Sequence, residues 1–201
     1  MLVDTERWYF VATRDALAPL NVELSQPRYL ELMAAGRSCW DLAREQGVPA
    51  ARIEVQRDER DAHYRELLQT EPIEVAGVRE VLAELAPEHR MAVITTSRRR
   101  DFDLIHAGRD LLAHFEFVLT IEDYARAKPQ PDPYLAGLAR FGAPASDALA
   151  LEDSARGLAS ARAAGLDCLV IRSAFTASQD FSAAWRVVDS VLQVPELLAS
   201  C

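Results

Sequence analysis

The chain has 201 residues, half of them hydrophobic, so it is long enough to bury a core as one domain or as a domain with a small accessory unit. Its 31 acidic against 22 basic residues leave a formal charge of −9, which excludes the basic face that nucleic acid requires. No run approaches the roughly 18–20 apolar residues that span a bilayer, and no basic region followed by an apolar stretch opens the chain, so a soluble, cytoplasmic protein without a membrane partner is expected.

The opening "MLVDTE" is acidic where a terminus is usually anchored by apolar residues. From about Arg7 to Thr70, "RWYFVATRDALAPL", "QPRYLELMAAG", "SCWDLAREQG" and "ARIEVQRDERDAHYRELLQT" space apolar residues three and four apart between Gly and Pro breaks, which predicts helices and no strand. From about Glu74 the pattern alternates. "VAGVREVLAELA" reads as helix, "MAVIT" as strand, "RDFDLIHAGRDLLAHF" as helix and "EFVLT" as strand. "DPYLAGLARFG" is then helix, "ALAL" strand, "ARGLASARAAG" helix and "CLVI" strand. Short buried strands separated by helices predict an α/β, Rossmann-like parallel sheet, because parallel strands are joined by helical crossovers. The expected division is residues 7–72 as a helical unit and residues 1–6 with 73–201 as the sheet-bearing core, hinged at "EPIEVAG" with its Pro72 and Gly77.

Cys39, Cys168 and Cys201 are odd in number and irregular in spacing, so free thiols in a reducing compartment are expected rather than a disulfide framework or a zinc site. His63, His89, His106 and His114 form no short-spaced metal pair and read as surface or helix-end residues.

Ligands of open parallel sheets sit outside the carboxyl ends of the strands. The first predicted strand ends Thr95-Thr96-Ser97-Arg98, where hydroxyls at a helix start either cap that helix or receive an anion. After the second strand, Lys128 precedes Pro129, which biases it away from helix; it is either a solvated charge or an ammonium fixed at the sheet mouth to neutralise a phosphoryl oxygen or a carboxylate. The third strand ends Glu152-Asp153-Ser154. Adjacent carboxylates repel, so either this is an acidic helix start with Asp153 or Ser154 as the cap, or the pair shares a hard cation such as Mg²⁺.

These three strand ends occur in order on successive strands, and with them the sequence resembles the haloacid dehalogenase superfamily, in the branch similar to β-phosphoglucomutase and phosphoglycolate phosphatase. "VITTS", "AKPQPDPY" and "ALEDSARGLASARAAG" match that family's second, third and fourth motifs, and "LVDTE" matches the residues that follow its first. The resemblance implies that the helical first half is a cap inserted into a Rossmann-like core. It also implies phosphoryl transfer through an aspartyl-phosphate. In that reading Thr95 binds the phosphoryl oxygens and Lys128 screens charge, while Glu152 and Asp153 hold Mg²⁺. Thr96, Ser97 and Arg98 would line the substrate entrance, with Asp4 a supporting residue.

The family's first motif, an apolar strand ending Asp-x-Asp-Gly, is not among these residues: Leu2-Val3-Asp4 match only its tail. The nucleophile, the acid/base and a central strand are therefore expected to be missing, so the 201 residues alone are expected to be inactive. Two explanations stand: a displaced start ahead of an active hydrolase, favoured because the remaining motifs are intact, or a catalytically dead relative that binds phosphate or a partner. A Mg²⁺-dependent phosphatase acting on a small phosphorylated metabolite is the expected chemistry. A dehalogenase would not need the acid pair, and a mutase would carry an arginine where the cap segment Gly36-Arg37-Ser38-Cys39 has Cys39. Strand edges left open by the missing element offer a route to oligomers.

Overall fold

The structure, a computed structural model, describes residues 1–35 and 37–199. The readings made at Gly36 and at Cys201 lie outside the described residues. Two units divide the chain: Val3–Glu74, and Met1–Leu2 with Val75–Cys201.

The first unit is helical, with α1 (Glu6–Leu17), α2 (Gln26–Ala34), α3 (Trp40–Glu45) and α4 (Ala50–Thr70). Each helix turns its apolar stripe inward. Phe10 and Leu17 of α1, Tyr29 and Leu32 of α2, Trp40 of α3, and Ile53 and Leu68 of α4 are all buried. Ser25 starts α2 by accepting the Arg28 N–H at 3.4 Å. The unit's two ends are clasped by an antiparallel bridge between Val3 and Glu74 and by the Asp4 N–H donating to the Ile73 carbonyl at 2.7 Å.

The second unit alternates in chain order: α5 (Val78–Leu85), β1 (Ala92–Ile94), α6 (Arg99–His106), β2 (Phe117–Leu119), α7 (Asp132–Phe141), β3 (Leu149–Glu152), α8 (Ala155–Ala163), β4 (Asp167–Ile171), β5 (Arg186–Val188) and α9 (Val194–Leu198). All strand pairs are parallel. β1 pairs with β2, Ala92 opposite Phe117; β4 lies between β3 and β5, with Leu149 opposite Asp167 and Leu169 opposite Arg186. Side chains alternate across a strand, and the two faces of the three-stranded sheet bury separate clusters. Ala150, Cys168 and Val170 pack with Tyr134 of α7 and with Leu158 and Ala161 of α8. Leu169, Ile171 and Val188 pack with Val81 and Leu85 of α5 and with Val194 of α9. This is the Rossmann-like α/β architecture with a helical cap.

The sequence reading did not contain β5 and α9. Arg186 and Val187 are exposed and leave only Val188 inward, so β5 carries no apolar run to announce it. Gly77 precedes α5 with φ +82°, a conformation that favours glycine, and a Cβ there would stand 2.5 Å from Leu192.

Among the described residues no strand pairs with the second edge of β1 or with the outer edge of β3. Val93, Ile94, Leu149 and Leu151 are accordingly only half-buried, while β4, with a neighbour on each side, is buried from Cys168 to Ile171. Among the described residues no helix is long and apolar enough to cross a membrane.

Candidate functional site

Lys128 is the only lysine in the chain; every other cationic side chain of the 22 is an arginine. Its ammonium is nearly buried and links the ends of two strands. Nζ donates to the Ile94 carbonyl at the end of β1 (3.0 Å) and to Oε1 of Glu152 at the end of β3 (2.5 Å), and it lies 3.4 Å from the Tyr134 hydroxyl. A guanidinium is a planar fork, whereas an ammonium directs three N–H groups around one point. Three acceptors around one point call for the latter.

Glu152 is 5% exposed and occupied on both oxygens. Besides Lys128, the Tyr134 hydroxyl donates to Oε1 at 2.5 Å, and the Asp153 N–H donates to Oε2 at 3.3 Å. The carboxylate lies against the first turn of α8 at Gly157, where a Cβ would fall 1.9 Å from Oε2. Burial, together with the Glu152 charge, pushes the Tyr134 phenol well above its ordinary value. Asp153 faces outward, and its Oδ2 accepts from the Met1 ammonium at 2.9 Å. The two adjacent carboxylates are thus each given a cation, Lys128 for one and the Met1 ammonium for the other.

Of the readings left open for the acid pair, helix capping belongs to Ser154, whose hydroxyl accepts the Gly157 N–H at 3.1 Å. Ser154→Ala is expected to lower stability by about 1 kcal/mol, read from the urea midpoint. Neither Glu152 nor Asp153 makes that cap bond. Among the described residues no group of three or more His, Cys, Asp or Glu is placed to hold a metal. Two carboxylates suit Mg²⁺, which commonly binds one or two and keeps water or phosphate at its other positions.

Thr95 continues β1, its N–H donating to the Leu119 carbonyl at 2.9 Å. Its hydroxyl donates to Ser97 Oγ and accepts the Ser97 N–H, both at 3.1 Å. The Tyr124 hydroxyl donates to the Thr95 carbonyl at 2.6 Å. Thr96 and Ser97 are half-buried. Arg98 is exposed and precedes α6 without a side-chain cap bond, so the capping alternative for this hydroxyl run is not realised. The N–H of Arg99 is instead taken by the Glu122 carboxylate at 3.2 and 3.3 Å. Asp4 belongs to the helical unit, where its Oδ1 accepts the Arg7 N–H at 3.4 Å at the start of α1.

The structure therefore brings Lys128, Glu152 and the end of β1 into direct contact, with Asp153 adjacent and Thr95 one residue beyond the carbonyl that Lys128 holds. Sequence reasoning missed Tyr134, Tyr124 and Gly157. Tyr134 was visible six residues after Lys128 in "AKPQPDPY", and Gly157 in "EDSARG".

The model of the haloacid dehalogenase-like hydrolases matches residues 1–171. The chain belongs to this family. Protein CbbY of Rhodobacter capsulatus is 40% identical over 116 residues, which span 54% of this chain and 51% of that relative, so the match covers about half of the relative's length. Among solved structures, CbbY from Rhodobacter sphaeroides in complex with phosphate superposes with TM-score 0.74 at 24% identity, covering 96% of this chain and 92% of that one. A putative β-phosphoglucomutase from Thermotoga maritima gives TM-score 0.80 at 20% identity, covering 99% and 94%. At these identities the two structures establish the fold, and for this haloacid dehalogenase-like hydrolase the strand ends described above are the place to seek its chemistry.

Proposed function

We propose that the site serves Mg²⁺-dependent phosphoryl transfer, as a phosphatase acting on a small phosphorylated metabolite. The observation that carries the reading is the single lysine, held between the end of β1 and the carboxylate that ends β3. A fixed ammonium in a water-poor setting stabilises developing phosphoryl charge without reorganising. Lys128 would supply that charge. Thr95 would donate its hydroxyl to a phosphoryl oxygen on leaving Ser97, and Thr96, Ser97 and Arg98 would meet the rest of the substrate. Glu152 and Asp153 would hold Mg²⁺, which when bound supplies positive charge opposite the phosphoryl oxygens.

The acid pair disfavours a carboxylate-bearing halide, since like charges repel. Cys39 disfavours a mutase, because a thiol carries no positive charge to hold a second phosphate. The covalent route needs a carboxylate beside Thr95 and Lys128, and Asp-x-Asp-Gly does not occur in the 201 residues.

The test is hydrolysis of an aryl phosphate with Mg²⁺ by two proteins: the 201-residue chain, and the same chain extended ahead of Met1 by an apolar strand ending in Asp-x-Asp-Gly. Turnover is expected from the extended protein alone, and Lys128→Ala should abolish it. Hydrolysis by the unextended chain would overturn this account of the nucleophile. Silence from both would favour a non-catalytic phosphate- or partner-binding protein.

A further inference from the structure

Tyr134 sits on the first turn of α7, its ring buried among Ala150, Leu158, Ala161, Cys168 and Val170. Packing there requires only the ring, and a buried hydroxyl without a partner is costly. The hydroxyl has two partners, and both are charged groups of the site, Lys128 and Glu152. It donates to Glu152 Oε1 at 2.5 Å and lies 3.4 Å from Lys128 Nζ, while the same ammonium stands 4.8 Å from the ring centroid.

The consequence is geometric. Lys128 has three N–H groups and three acceptors: the Ile94 carbonyl, Glu152 Oε1 and the Tyr134 hydroxyl. Oε1 of Glu152 accepts from both Lys128 and Tyr134, whereas among the described residues Oε2 accepts only the Asp153 N–H. The carboxylate is thereby fixed in rotation, with one oxygen committed to the clamp and the other on the side of Asp153.

We infer that Tyr134 is the positioning residue of this site: its hydroxyl holds Lys128 and Glu152 to one another and leaves Oε2 as the oxygen that Glu152 can share with Asp153 toward a cation. The use made of that oxygen rests on the phosphoryl-transfer reading; the clamp itself does not.

Because Lys128 is the only lysine, lysine labelled with ¹³C and ¹⁵N gives a single side-chain ammonium resonance in the full chain. In the metal-free protein its protons should exchange slowly with water. Tyr134→Phe keeps the ring and removes the hydroxyl, and exchange should become about fivefold faster, the factor for one ordinary hydrogen bond. A role in packing alone would leave exchange and chemical shift unchanged, and that result overturns the inference. Should Tyr134→Phe melt below the working temperature, Glu152→Gln reads the clamp from its other end. It must lose the same protection, and retained protection also overturns the inference. Mg²⁺ added to the wild-type chain tests the underlying reading separately. The resonance should move as the cation engages Glu152; a resonance indifferent to Mg²⁺ counts against the metal and leaves the positioning role to the metal-free comparison.

Discussion

Lys128→Ala is expected to lower stability by about 3–5 kcal/mol, because removing one member of a buried ion pair strands the other. The side chains of Lys128 and Glu152 are only 11% and 6% exposed, so water cannot replace the lost ammonium. The Ile94 carbonyl loses its side-chain donor as well. The double variant Lys128→Ala/Glu152→Gln should be more stable than the single one, since a neutral amide removes the uncompensated charge. Lys128→Arg should also fall short, because a planar guanidinium cannot serve three acceptors around one point. Urea unfolding of the three variants checks the argument, and equal midpoints for the single and double variants would show that the pair is not coupled.

Gly157→Ala should destabilise by about 1–3 kcal/mol, as overpacked sites do. Helix propensity alone gives the opposite sign, since alanine is better than glycine inside a helix by about 0.5–1 kcal/mol. The inversion follows from position: the added Cβ would stand 1.9 Å from Oε2 and 2.3 Å from Oε1 of Glu152, and that carboxylate is pinned by Lys128 and Tyr134. Gly137 provides the control. A Cβ there would meet Ile94, its terminal Cδ1 at 2.4 Å and Cγ1 at 3.6 Å, the end of an aliphatic side chain rather than a pinned carboxylate, so Gly137→Ala should cost less. A Gly157→Ala chain more stable than wild type in urea would mean that Glu152 can leave its place against α8.

The elements with strong apolar patterning were legible in the sequence. "MAVIT" and "EFVLT" contain β1 and β2, and "ALAL" and "CLVI" cover β3 and β4 except for Glu152 and Asp167 at their ends, because a parallel strand covered by helices is apolar along most of its length. β5 pairs on one side only and buries a single side chain, so nothing in its composition distinguished it from loop. At the site, residue types at strand ends pointed to Lys128, Glu152 and Asp153, since charges there need partners wherever the chain goes. How they are partnered was not legible. "Glu-Asp" reads as a repelling pair awaiting one cation, yet Glu152 turns in to Lys128 while Asp153 turns out to the Met1 ammonium. Which way two successive side chains point depends on the strand's register against α7 and α8. Tyr134 could be seen in the motif but the part its hydroxyl plays could not, because an aromatic at a helix start reads as core whatever its hydroxyl meets.

The arginine-for-lysine composition carries into alkaline solution. Guanidiniums stay charged at any pH a protein survives, so among the cationic side chains only one amine can lose its charge there. Charge changes above neutral pH fall instead to phenols and thiols, and the fold resists them. Burial holds the Cys168 thiol up at about 12, and burial followed by the charges of Asp123 and Glu122 does the same to the Tyr124 phenol. Unfolded, such groups give up their protons near about 8.5 and about 10. The stability they contribute is complete below those values and drains away as pH rises through the folded ones. In base, this protein's weak point is its buried neutral acids rather than its cations.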